Sequence, residues 1–216
     1  MQHFLILLKH EFTQEWRQRN ALGGVLLYVI STVFVAYLTF KRVEPLTWIA
    51  LYWVILLFAS VNAVAKSFIQ QSPGKMLYYY TVANPLLLLC AKLTYYILLL
   101  WSIQLIAFLV LAVLVGQPIQ DVFLFFLGSF LAAFGFAASG TLVSSISHKA
   151  TNQSTLMAIL SFPILLPVLT LVVKISKNAL DGLDRSVSID EIVSLIAVDT
   201  IVIGVALLLF PYLWRE

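Results

Sequence analysis

Charge is scarce in this sequence. Asp, Glu, Lys and Arg make up 11% of its 216 residues, while 62% are hydrophobic; a soluble domain is about a quarter charged and roughly half apolar. Too little polar surface remains to cover a fold facing water, which excludes a soluble enzyme and makes lipid the solvent for most of the chain. Cysteine is nearly absent. Cys90 stands alone, so no internal disulfide, cysteine zinc cluster or C-x-x-C-H haem attachment can form. There is no G-x-x-x-x-G-K-[ST] either, so the chain cannot cradle nucleotide phosphates in a P-loop of its own, and ATP dependence would have to come from another subunit. No H-E-x-x-H or comparable metal spacing occurs. The three histidines, His3, His10 and His148, lie outside the apolar runs, where solvated interfacial roles outweigh haem ligation. The net charge of +3 comes from basic residues scattered in ones and twos, which make no stripe for nucleic acid.

What the sequence does have is long apolar runs. A helix needs about 20 apolar residues to cross roughly 30 Å of hydrocarbon, and the segments 21–40, 46–65, 93–115, 122–143, 155–173 and 192–213 meet that length. The first five hold no Asp, Glu, Lys or Arg, and the sixth holds one, Asp199. Apolar residues on consecutive positions, as in Ile97 to Trp101, exclude the strict alternation of a membrane barrel. The expected fold is therefore all-α: a polytopic membrane protein with six transmembrane helices, in one domain covering 1–216. The apolar run from Phe4 to Leu8 is short and charge follows at once, so the N-terminus reads as retained rather than as a cleaved signal peptide.

Basic residues set orientation. Of the thirteen, Lys9, Arg17, Arg19, Lys66, Lys75, Lys92, Lys149 and Arg215 fall on one side, and Lys41, Arg42, Lys174, Lys177 and Arg185 on the other. This bias places both termini in the cytoplasm, with Glu44, Asp121, Asp181, Asp184, Asp190 and Glu191 outside.

Two cytoplasmic segments stand out from the spans. In residues 3–19, Phe4, Leu8, Phe12 and Trp16 recur every fourth position and form one stripe, with Lys9, Glu11, Arg17 and Gln18 turned elsewhere. The pattern predicts an amphipathic helix in the interface, over 1–20, or a simple flanking anchor for the first span. The second segment turns at Ser72, Pro73 and Gly74, and Pro85 can start a new helix. Between these breaks lie Lys75, Met76, Leu77 and Tyr78, which suit either docking to a protein partner or a position at headgroup depth.

Within the spans, Ser139 precedes Gly140, but no histidine lies in any span to serve it as a base, so intramembrane proteolysis is not favoured. Gly128, Ala132, Gly135 and Ser139 instead make a small-residue face for close helix packing. Asp199, costing about 2.5–3.5 kcal/mol at mid-span on insertion scales, has to face protein or water. It is expected to be a structural pair or polar helix contact, with Lys174 its nearest basic candidate, or else a substrate or proton site. Pro163 and Pro167 predict a kink or break in the fifth span, which reads equally as a hinge lining a substrate path or as a fixed packing kink.

Three stretches, in order along nearly the whole chain, carry a family likeness. They are the charged start L-L-K-H-E-F-T-Q-E-W-R-Q-R-N with Lys9, Glu15, Trp16 and Arg17; the loop of Pro73, Gly74 and Lys75 leading into N-P-L-L-L-L-C-A-K with Pro85 and Lys92; and F-P-I-L-L-P-V-L in the fifth span. Together they resemble the haem exporter B family (CcmB), the ABC-2 type permease of the cytochrome c maturation system. The resemblance implies a non-catalytic permease subunit in the bacterial inner membrane, commonly a homodimer of six-helix subunits. It also implies a cytosolic ABC ATPase partner (CcmA-like), which binds the ATP, and the haem-handling proteins CcmC, CcmD and CcmE, with haem as the possible substrate and no metal or cofactor held by the chain. Residues 67–84, with Lys75, Met76, Leu77 and Tyr78, would then be the coupling helix received by the ATPase, and 1–20 the connecting helix beside it. An ABC-2 permease for a lipid or drug is the alternative.

Overall fold

The computed structural model describes residues 2–17, 19–40, 42–69, 85–147 and 153–215. Seven α-helices account for nearly all of them: α1 (Gln2–Arg17), α2 (Arg19–Thr39), α3 (Pro45–Ile69), α4 (Pro85–Leu114), α5 (Val122–Ser147), α6 (Gln153–Asp181) and α7 (Ile189–Arg215), with a short 3-10 turn at Arg185–Ser188. Among the described residues there is no strand. Five helices, α3 to α7, are long and apolar enough to cross a membrane; the apolar stretch described in α2, Gly23–Thr39, is shorter.

The helix ends follow from local chemistry. Pro45 and Pro85 open α3 and α4, where a missing N–H costs nothing and the fixed φ suits the first turn. Asp121 caps α5 by accepting the Leu124 N–H on Oδ1 at 3.0 Å. Gly182, at φ +63°, ends α6, and the N–H of Leu183 returns to the carbonyl of Asn178 at 3.1 Å, the glycine-terminated closure that a side chain at this φ would strain.

All five long helices outrun the spans expected for them, α4 and α6 by the most. The run 93–115 proves to be the later part of a helix that begins at Pro85, and 155–173 the earlier part of one that begins at Gln153 and continues to Asp181. Lysines at 92, 174 and 177 end the uncharged run but not the backbone hydrogen bonding, because lysine is a good helix former.

The small-residue helix α5 is central, packing against α3, α4, α6 and α7. A Cβ added at Gly128 would come within 2.9 Å of Ile175, at Gly135 within 2.9 Å of Val168, and at Gly140 within 3.0 Å of Val64. Close approach of this kind supplies the dispersion contacts that hold helices together in lipid, where burial of apolar surface gives little drive. Near one end of the bundle an aromatic wedge fills the space between α3, α4 and α5. Trp48 stacks on Tyr52 with ring centroids 5.5 Å apart, and both meet Phe125. The polar tips find partners: Trp48 Nε1 donates to the Gly116 carbonyl and Trp53 Nε1 to Ser176 Oγ, each at 2.9 Å, and Tyr52 OH to the Gln104 carbonyl at 3.3 Å. Leu27, Val35 and Leu38 on α2 and Val193, Ile201 and Leu208 on α7 point outward, a surface suited to lipid.

Candidate functional site

Helix α1 is docked on α4 through the face that carries Glu11. Leu8 packs against the core and Phe12 meets Tyr95 edge-on at 4.9 Å, while Lys9 and His10 are exposed. Glu11 had been expected to turn away from this side. It is instead 1% exposed and accepts a hydrogen bond on Oε2 from Lys92 Nζ, also 1% exposed, at 2.9 Å. Glu11 follows Leu8 by three positions, so it shares the buried face, and only a cation already inside α4 makes that tolerable. Lys92 stands about two turns past Pro85, on a helix rather than in a loop. Glu11 Oε1 is buried with no hydrogen-bond partner among the described residues, so desolvation of this pair is not fully repaid there. The pair fixes where α1 sits; it is not an efficient source of stability. Lys75, Met76, Leu77 and Tyr78, the residues expected to couple to a partner, lie outside the described residues, in the stretch directly before α4.

Pro163 and Pro167 lie inside α6, which runs through both without a break. Both side chains are exposed. The face of α6 turned into the bundle is formed by Leu165, Val168, Val172, Ile175 and Ala179, all nearly inaccessible. The prolines therefore stand on the outer side of the helix and line nothing between the helices described. The Thr170 hydroxyl donates to the Pro167 carbonyl at 2.8 Å.

Asp199 is 5% exposed, and neither carboxyl oxygen has a hydrogen-bond partner among the described residues. It faces the junction of α5 and α6, with Oδ1 within 2.5 Å of where a Cβ on Gly135 would sit, and Val168 flanks the same notch. The expected partner, Lys174, is exposed and forms no ion pair with it. Lys174 lies six residues beyond Val168, about 9 Å further along α6, and points away from the bundle. Ser139, one turn beyond Gly135 on α5, is also buried, its hydroxyl unpartnered among the described residues. Among the described residues no group of three His, Cys, Asp or Glu is placed to hold a metal ion.

The opposite end of the bundle from α1 carries a second charged contact that the sequence did not reveal. Arg185 donates to Asp121 through Nε at 2.6 Å and through a terminal nitrogen at 3.1 Å, and its guanidinium lies 4.8 Å from the centre of the Phe123 ring. The N–H groups of Gln120 and Asp121 donate to the Ala179 carbonyl, so the cap of α5 is tied to the end of α6. The Arg185 hydrogen bonds, and then the Leu124 N–H, hold the Asp121 carboxyl below its ordinary range. With the folded value depressed, the clamp's contribution is complete above the unfolded carboxylate pKa of about 3.9 and disappears as pH falls through the lower, folded value. Acid titration of the fluorescence of a variant that keeps Trp48, near this end, as its one tryptophan should therefore hold level through the ordinary carboxylate range and change only below it. Asp121→Asn should remove the acid step, with a small loss of thermal stability because the Arg185 side of the pair is exposed to solvent.

No protein-family model, curated protein or solved structure matches the chain.

Proposed function

We propose that this chain is the membrane permease subunit of an ABC transporter, driven by a separate cytosolic ATPase and serving haem export or release of a loaded haem chaperone in cytochrome c maturation. The observation that supports this reading best is the buried Glu11–Lys92 pair. A permease without a motor needs a stiff link between the segments a motor can reach and the helices it must move. The pair locks α1 onto α4 just after the stretch with Lys75, Met76, Leu77 and Tyr78, so a push on that stretch or on α1 would be transmitted to α4 and from there to α5. In this reading α2 is the sixth span, both termini are cytoplasmic, the membrane is the bacterial inner membrane, and two copies work with a CcmA-like ATPase and with CcmC, CcmD and CcmE.

Deletion of the gene should abolish covalently bound haem in c-type cytochromes on haem-stained gels. Normal staining, with an ATPase still recovered on affinity pull-down, would instead assign the permease to another substrate such as a lipid or drug. Lys75→Glu, Met76→Ala and Leu77→Ala should each reduce ATPase recovery several-fold; unchanged recovery in all three would place the docking surface elsewhere.

A further inference from the structure

We propose that Asp199 is a proton-binding site within the helix bundle. Its carboxyl carries a proton while α7 is packed against α5 and α6, and releases it to water when the helices part. The proposal stands apart from any ATPase coupling and rests on what surrounds the side chain.

An unpaired carboxylate removed from water is far more costly than a neutral carboxylic acid, and among the described residues no cation forms an ion pair with it. From α5 the carboxyl meets Gly135, with the unpartnered Ser139 hydroxyl one turn away. From α6 it meets the neighbourhood of Val168, and the charged residues of that helix, Lys174, Lys177 and Asp181, are exposed near its far end. On α7 itself the other acids, Asp190 and Glu191, lie in the first turn, about two turns from Asp199. On α4, Lys92 is engaged with Glu11. The notch at Gly135 is thus shaped for a small acid and provides neither an opposing charge nor a hydrogen bond among the described residues.

The same junction has a place to open. Val168 is next to Pro167, which lacks the N–H that would bond the Pro163 carbonyl, so α6 is weakest against bending beside the carboxyl. If α6 bends or α7 withdraws, water reaches Asp199, the O–H bond breaks, the proton passes to water and the carboxylate remains solvated. Protonation then favours the packed arrangement, and a rise in pH favours the separated one.

The full chain in lipid vesicles tests this by infrared spectroscopy and carbodiimide labelling. A carboxylic acid C=O band should be present at mildly acidic pH and missing from Asp199→Asn, whose amide copies the shape of the acid and should leave thermal stability unchanged. Dicyclohexylcarbodiimide, which modifies protonated carboxyls in apolar surroundings, should form an adduct on Asp199 that mass spectrometry locates, with labelling falling about tenfold per pH unit once the acid ionises. Absence of the band from the wild type would overturn the proposal. So would a large destabilisation by Asp199→Asn matched by Lys174→Met, which would reveal an ion pair. If Asp199→Asn does not fold, the band and the adduct in the wild type decide the question.

Discussion

Replacing Lys92 by methionine is expected to lower the stability of the purified protein by about 3–5 kcal/mol, the usual cost of removing one partner from a buried ion pair. Methionine matches the length and apolar stem of lysine, so the packing of α4 changes little. The loss comes from Glu11, which remains 1% exposed without the cation that makes its burial tolerable. The carboxylate can regain water only if α1 leaves α4, which gives up the contacts of Leu8 and the edge-on meeting of Phe12 with Tyr95. Thermal unfolding in detergent measures the loss of stability, and proteolytic release of α1 detects the undocking. Glu11→Leu combined with Lys92→Met should recover most of the stability, since an apolar pair of similar volume removes the desolvation penalty along with the attraction. If the proposed function holds, the double variant separates stability from coupling: the bundle would fold, yet α1 would be held by a contact without fixed direction, and ATP-linked activity would fall while the melting temperature stayed near that of the wild type. A Lys92→Met protein as stable as the wild type would mean that the pair is not buried in the membrane-embedded molecule.

Legibility in the sequence divides along the range of the interactions involved. The close-packing face of α5 could be read directly, because packing in lipid depends on side-chain size, and Gly128, Ala132, Gly135 and Ser139 recur at helical spacing; that α5 packs against four other helices could not. That Asp199 would be buried followed from its charge alone. Which neighbour it would meet did not, because that depends on how α6 and α7 are rotated about their axes, and the rotation that buries Leu165, Val168, Val172 and Ile175 also turns Lys174 outward. The uncharged runs 93–115 and 155–173 are shorter than α4 and α6 for a related reason: charge marks where an uncharged run stops, whereas helices stop where backbone partners run out, as at Gly182. Least legible were the two ion pairs. Glu11 and Lys92 are 81 positions apart, and Asp121 and Arg185 are 64 apart, so no local spacing could join them. One clue was available for the first: Lys92 follows Pro85 and Leu86 to Leu89 in a segment suited to begin a helix, and a lysine set among such residues needs a partner.

Gly135→Ala is expected to cost about 1–3 kcal/mol, the range for overpacking a well-filled interior, and more than the same change at Gly204, where an added Cβ meets nothing within 4 Å. At Gly135 the new methyl would lie 2.5 Å from Asp199 Oδ1 and 2.9 Å from both methyl groups of Val168, closer than real Cβ contacts allow. Val168 is β-branched, and its χ1 is confined in a helix, so it cannot rotate clear. The strain therefore falls on the Asp199 side chain or on the separation of α5 from α6 and α7. Thermal unfolding of three variants distinguishes these responses. Val168→Ala added to Gly135→Ala should recover part of the loss if α6 is the obstacle, and Asp199→Ala should recover part if the carboxyl is. Recovery by both, each incomplete, is the expected result, because the notch at Gly135 holds the two groups together. Gly135→Ala as stable as Gly204→Ala would mean that α5 and α7 do not approach this closely, and it would remove the geometric basis on which Asp199 is held from water.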